Sequence, residues 1–289
     1  MRRGEYSSDV SWLTGGGNES VTMRTIAIAN QKGGCGKTTT AVNLAAALAV
    51  KGNKVVLADL DPQAHATLGL GQDPEELNVS VYDVLTNGHI PASTALTATC
   101  VDGLDLLPSN ILLSGAEIDL AMAQGREFVL SSRLSPLKTD YDYCIVDCSP
   151  SLGLLVLNAL LASTDVLVPV QAHYYAMEGL KQLLETIDIV KRRFSPCRSE
   201  ILGLVLTFVD SRAILCREVM EQMREFFGEL VFDTVIHRSV RLAEAPSAGE
   251  SIITYDGKCK SAMEYMALAD EVIYGKSQGR IAQENLINI

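Results

Sequence analysis

Eleven consecutive residues carry the densest chemistry in this chain: Asn30-Gln31-Lys32-Gly33-Gly34-Cys35-Gly36-Lys37-Thr38-Thr39-Thr40. They lie between an apolar run, Thr25–Ala29, and an alanine-rich segment that reaches Val50. Glycines let a backbone curl so that successive N–H groups point inward at phosphate oxygens. A helix opening at Lys37 adds its positive N-terminal end. Lys37 then supplies a point charge for β- and γ-phosphates, Thr38 a hydroxyl for Mg²⁺, and Thr39 a contact to the α-phosphate. A strand, a glycine loop and a helix in that order are the context a P-loop requires.

Two other segments supply carboxylates. The run Lys54–Ala58 ends in Asp59-Leu60-Asp61-Pro62-Gln63. Carboxylates at i and i+2 leave the same side of a strand end, and in a parallel sheet those ends border the ligand crevice. The run Tyr143–Val146 closes on Asp147-Cys148-Ser149-Pro150. An apolar strand ending in a single Asp is the Walker B arrangement, with Asp147 holding Mg²⁺ through water.

The pattern K-G-G-x-G-K-T-T, with Lys32 as an extra lysine at its head, resembles the deviant Walker A motif of the ParA/MinD family. The resemblance implies that Lys32 reaches across a two-fold interface to the partner's nucleotide, as an arginine finger does elsewhere. It implies Lys32, Lys37 and Asp61 as the catalytic set, with Asp61 orienting the attacking water. ATP would be held by Lys32, Gly33, Gly34, Cys35, Gly36, Lys37, Thr38 and Thr39, and Mg²⁺ by Thr38, Asp59 and Asp147. The chain has Ser149 where the family's D-x-P-P-S-L-G segment has its first proline. Pro169-Val170-Gln171 with Tyr175-Ala176-Met177-Glu178-Gly179-Leu180, and the stretch Arg238–Ser247, resemble later segments more specific to ParA/Soj proteins than the P-loop is.

The likeness covers residues 24–275, nearly the whole chain. A ParA/Soj-type partition ATPase would form a sandwich homodimer on binding ATP and hold non-specific DNA. It would hydrolyse slowly until a ParB-like partner stimulates it. It would be cytoplasmic, and nucleoid-associated when ATP-bound. The alternative is a MinD-like ATPase that positions another cargo or regulates cell division. Such proteins end in a basic amphipathic membrane helix, whereas Ser277–Ile289 holds one cation, Arg280, and one acid, Glu284. A relative of the nitrogenase iron protein needs cluster cysteines in glycine-rich loops beyond the P-loop, and neither Cys100 nor Cys148 is in one. Asp61 and Asp147 argue against a scaffold that binds ATP without hydrolysing it.

The elements that must position these residues are legible too. Apolar runs at Leu104–Leu107, Asp165–Val170, Ile201–Val209 and Val231–Ile236 join those named above, and helical patterns such as Met177–Arg193 and Arg217–Phe227 separate them. Such alternation predicts an α/β fold: a single doubly wound, mainly parallel sheet with helices on both faces. Residues 23–289 read as one ATPase domain, and residues 1–22 as a disordered polar tail too short for a helix-turn-helix domain. No apolar run is long enough for a membrane helix. Seven cysteines, without CxxC spacing, read as reduced thiols. The net charge is −11, but residues 1–180 hold 10 Lys+Arg against 19 Asp+Glu and residues 181–289 hold 14 against 16. A local basic face is therefore open to the C-terminal third. Its candidate DNA contacts are Arg212, Arg217, Arg238 and Arg241.

Overall fold

The computed structural model describes residues 23–173, 176–194 and 197–275, with residues 176–179 described by their backbone. The tail assigned to residues 1–22, Tyr175 and the chain end at Ser277–Ile289 lie outside the described residues.

Eight strands form one sheet. They are β1 (Arg24–Ile28), β2 (Val55–Leu60), β3 (Thr97–Ala98), β4 (Leu104–Leu107), β5 (Tyr143–Cys148), β6 (Asp165–Gln171), β7 (Glu200–Val209) and β8 (Val231–His237). Their spatial order is β3-β4-β2-β5-β1-β6-β7-β8. Every pairing is parallel except β3 with β4. The two-residue β3 is too short and too polar to leave a pattern in the sequence.

Residue alternation makes the sheet two-sided. Ile26, Ile28, Val55, Leu57 and Ile145 face one core, which is roofed by helix α1 (Lys37–Val50) and the helix Lys260–Tyr274. Ala27, Ala29, Val56, Ala58, Cys144 and Val146 face the other, which is covered by the helices Leu154–Ala162, Ala176–Arg193 and Ile214–Phe227. Both faces are dry, so the strands read as continuous apolar runs without a polar alternation. The composition of α1 fits its place: Ala45, Ala46, Ala47 and Ala49 let it lie close against the sheet with little side-chain entropy to lose.

β1 sits between β5 and β6, and the chain leaves it toward β2 on one side and later fills the other side with β6. That is where a doubly wound sheet opens a crevice at its C-terminal strand ends. Among the described residues no helix is long and apolar enough to cross a membrane.

Candidate nucleotide site

The crevice begins with the loop after β1. Gly34 and Gly36 have φ of +70° and +90°, values that other residues reach only under strain. Gly36 is the residue before α1, and among the described residues no side chain caps the helix there and no acid occupies its first turn. The first-turn amides are thus left facing the loop, an arrangement suited to an anion. The Lys37 ammonium is largely buried and donates to the Lys32 carbonyl across the loop at 3.2 Å. Asn30 braces the loop's start: its amide donates to the Pro169 carbonyl at 2.7 Å, and its carbonyl accepts from the Lys32 N–H at 3.0 Å. From the far side, the Thr207 hydroxyl donates to the Cys35 carbonyl at 2.8 Å.

The register brings the acids together. Asp59 of β2 lies directly opposite Asp147 of β5, and Ile28 of β1 pairs with Asp147 on its other side. Counting from Leu57 and Ile145, both carboxylates point to the α1 face, where Lys37 and Thr38 begin the helix. β5 runs on through Cys148, so Asp147 stands inside the strand instead of in the loop after it.

The two acids differ in their surroundings. Asp59 is fully buried, and its oxygens accept from the Thr67 hydroxyl at 2.7 Å, the Thr67 N–H at 2.9 Å and the Asp61 N–H at 3.2 Å. Burial pushes its pKa up to about 6 against the pull of those three donors. Asp147 is also fully buried, yet neither of its oxygens has a hydrogen-bond partner. The Thr38 hydroxyl lies near enough to ease its charge without closing a hydrogen bond. Burial first, then the neighbouring Asp59, hold its pKa well above the usual carboxylate range, while Lys37 opposes them. An orphaned buried carboxylate next to a second acid and a threonine hydroxyl is a setting that fits a divalent cation. No group of three or more His, Cys, Asp or Glu suited to a metal occurs among the described residues. Mg²⁺ fits that supply, because it commonly takes one or two protein ligands and completes its shell with water and phosphate.

Asp61 is held at the mouth. Its carboxylate accepts from the Gln63 N–H at 2.9 Å, and its carbonyl accepts from the Ser109 hydroxyl at 2.8 Å. Ser109 donates its own N–H to the Thr67 hydroxyl at 2.9 Å, so Asp59, Thr67, Ser109 and Asp61 form one braced unit. Sequence reasoning missed Thr67, Ser109 and Thr207, and it placed Asn30 in the loop segment without a role. Each is a polar residue near an apolar run, and only the folded register shows what it holds. Two non-glycine residues among those described have positive φ, Ala64 at +52° and Phe208 at +53°. One follows the Asp61 turn and the other abuts Gly36, which is where stored backbone strain tends to collect.

Arg212, Arg217, Arg238 and Arg241 are all exposed. Val209 pairs with His237 at the ends of β7 and β8, and the Arg238 N–H donates to the Val209 carbonyl at 3.0 Å. Arg212 and Arg238 therefore rise from adjacent loops on the same rim as the P-loop. Arg241 is engaged with Glu244 at 3.6 Å and Asp256 at 3.7 Å. Exposed pairs of that kind are worth roughly 0–1 kcal/mol, so an anionic partner can displace them.

Comparison with known proteins gives the family and the fold. A family model described as an AAA domain (AAA_31) matches residues 23–200. The sporulation initiation inhibitor protein Soj of Bacillus subtilis is 48% identical over 247 residues, covering 86% of this chain and 97% of that protein. The chromosome partitioning protein ParA of Myxococcus xanthus is 46% identical over 250 residues, covering 86% and 88%. A crystal structure from Mycobacterium smegmatis, described as cobyrinic acid a,c-diamide synthase with bound ATP analog and magnesium, superposes with a TM-score of 0.77 at 40% identity, covering 89% of this chain and 97% of that one. The chain belongs to the ParA/Soj family of chromosome-partitioning proteins, within the ParA/MinD-like P-loop ATPases.

Proposed function

We propose that this protein is a partition ATPase that binds Mg·ATP, closes into a homodimer, holds DNA without sequence preference and releases it after hydrolysis. The observation that carries the reading is the buried Asp147 carboxylate, which has no protein partner and lies beside Thr38 and Lys37 at the uncapped start of α1. In this reading the amides of residues 33–39 wrap the phosphates, and the Lys37 ammonium exchanges the Lys32 carbonyl for β- and γ-phosphate oxygens. Mg²⁺ would be held by the Thr38 hydroxyl and, through water, by Asp147, with Asp59 behind them. Its chemistry there is to neutralise charge on the β- and γ-phosphates. Asp61, fixed by Gln63 and Ser109, orients the attacking water. Lys32 of each protomer serves the other's nucleotide, so hydrolysis waits for the dimer.

The exposed arginines of the C-terminal third supply the DNA contacts, and a dimer doubles them. Their affinity arises from phosphate neutralisation, so it must fall steeply with salt. The protein acts in the cytoplasm, on the nucleoid while ATP-bound, and a ParB-like partner accelerates the hydrolysis that frees it. Co-sedimentation with DNA in ADP, ATP and a slow analogue, at two salt concentrations, tests the reading. DNA is retained with the triphosphate alone, Asp61→Ala stays bound longer, and Lys32→Ala fails. Equal retention in ADP and ATP, or none at low salt, contradicts it.

A further inference from the structure

Three consecutive residues at the end of β7 join the P-loop to the arginine loops. Thr207 donates its hydroxyl to the Cys35 carbonyl at 2.8 Å in buried surroundings. Phe208 follows with φ of +53°, and its ring comes within 3.4 Å of where a Cβ on Gly36 would stand. Val209 then accepts from the Arg238 N–H at 3.0 Å. One residue further, the Asp210 carboxylate accepts from the Arg212 N–H at 3.0 Å. The Ser211 hydroxyl meets His237 Nε2 at 3.0 Å, which closes the β7 loop onto the end of β8.

Phe208 is unusual in two ways. A bulky aromatic residue in the left-handed region is strained, and it stays there only because its neighbours hold it. Yet the side chain is 42% exposed, so ordinary core packing is not what holds it. Its surroundings are the two peptides it separates. Thr207 is tied to the P-loop on one side, and Val209 is tied to Arg238 on the other. A shift of the Cys35–Gly36 backbone therefore reaches residue 208 by two routes, the Thr207 hydrogen bond and the ring contact at Gly36. Relaxing φ at 208 would turn the Val209 carbonyl and carry the amides of Arg238 and Arg212 with it. Phe208 thus lies between two anchored peptides, one tied to the P-loop and the other to the loop that carries Arg238.

We propose that Phe208 is the positioning residue through which the triphosphate-filled P-loop sets Arg212 and Arg238 against a polyanionic backbone. The inference rests on the reading that the ATP-bound protein holds DNA. It adds the route by which the nucleotide reaches the arginines. Phe208 touches no reacting atom; it acts through the two loops it joins.

The test is retention on DNA across a salt series, in saturating Mg·ATP and in saturating Mg·ADP, so that changes in nucleotide affinity drop out. Phe208→Gly keeps the positive φ at no steric cost and removes the ring. Its ATP-over-ADP retention ratio falls by about tenfold or more, within the usual range for coupling between sites. Its salt slope in ATP shrinks by about 1–2 for each protomer, as expected when the two arginines lose their phosphates. Phe208→Tyr restores both readouts. Thr207→Val, which removes only the hydroxyl bonded to Cys35, lowers the same ratio and stands as the second line if the glycine variant does not fold. A Phe208→Gly protein that is folded and nucleotide-filled yet keeps the wild-type ratio and slope overturns the inference, and so does an unchanged ratio in Thr207→Val. Wild type that holds no DNA in either nucleotide overturns the partition reading itself.

Discussion

Replacing Asp147 by Asn should make the metal-free protein more stable. The carboxylate is fully buried, both oxygens lack a partner, and Asp59 sits directly across the strand pair. Each of those features raises the energy of the charged form. Burying an unsatisfied polar group costs roughly 1–3 kcal/mol, and a charged one more. Asn keeps the shape and removes the charge; its amide still lacks a partner, so what returns to the folded state is only the additional cost of the charge, on the order of 1–3 kcal/mol. For a chain of this size that is roughly 2–10 °C in melting temperature. The sign with pH follows from the raised pKa of Asp147. The folded chain holds that proton more tightly than the unfolded chain. Below the unfolded value of about 4 both states carry it and no penalty exists. As pH rises past that value the penalty grows in the wild type and not in the variant. The advantage of Asp147→Asn is thus large at about pH 7.5 and shrinks toward about pH 4.5. Thermal melts in a chelator across that range are the assay. Adding Mg·ATP reverses the order, because only the wild type has the carboxylate that fits the cation. A variant that melts at or below wild type in chelator near neutral pH refutes the reasoning.

Other outcomes follow from the same geometry. Asp59→Asn also relieves a buried charge, but its carboxylate accepts three hydrogen bonds. The amide loses at least one of them, so urea denaturation shows a net change within about 1 kcal/mol, while single-turnover hydrolysis slows because the Asp61 loop loosens. Thr67→Val leaves the buried Ser109 N–H without its partner and takes one of three donors from Asp59, whose Oδ2 keeps the Thr67 N–H, and urea midpoints show a loss of about 1–3 kcal/mol. Gly249→Ala brings a Cβ to 2.7 Å from the Gly71 Cα, at a φ of +69°. Backbone cannot yield there cheaply, so calorimetry shows a loss above about 2 kcal/mol, whatever the nucleotide. Lys37→Ala keeps the fold by circular dichroism and lowers ATP affinity by about tenfold or more in calorimetry, since a charge-assisted phosphate contact is lost.

Much of the architecture is legible in the sequence because both faces of the sheet are buried. Runs such as Tyr143–Val146 stand out as uninterrupted apolar stretches, and the glycines at 33, 34 and 36 mark the turn into α1. Strand ends are less legible. β2 and β5 continue through Asp59 and Asp147, because a register shared with neighbouring strands overrides the polarity of those residues. The braces are not legible at all. Thr67 lies eight residues beyond Asp59, and Thr207 lies 172 residues beyond Cys35. Nothing local to either threonine distinguishes it from any other polar residue beside an apolar run. The arginines stand between these cases. Charge alone does not separate Arg212 and Arg238 from ordinary exposed cations, and only the pairing of β7 with β8 sets them on adjacent loops.

The lysine-headed loop matters most where two protomers meet, and the mass of the particle in solution reports that meeting. Sedimentation velocity on wild type and on Lys32→Ala, each saturated with Mg·ATP or with Mg·ADP, gives the answer. The account predicts a doubled mass for wild type in the triphosphate, a single mass in the diphosphate, and a single mass for Lys32→Ala in both although it still binds nucleotide. Wild type that keeps one mass in both nucleotides, or Lys32→Ala that doubles as readily as wild type, contradicts it.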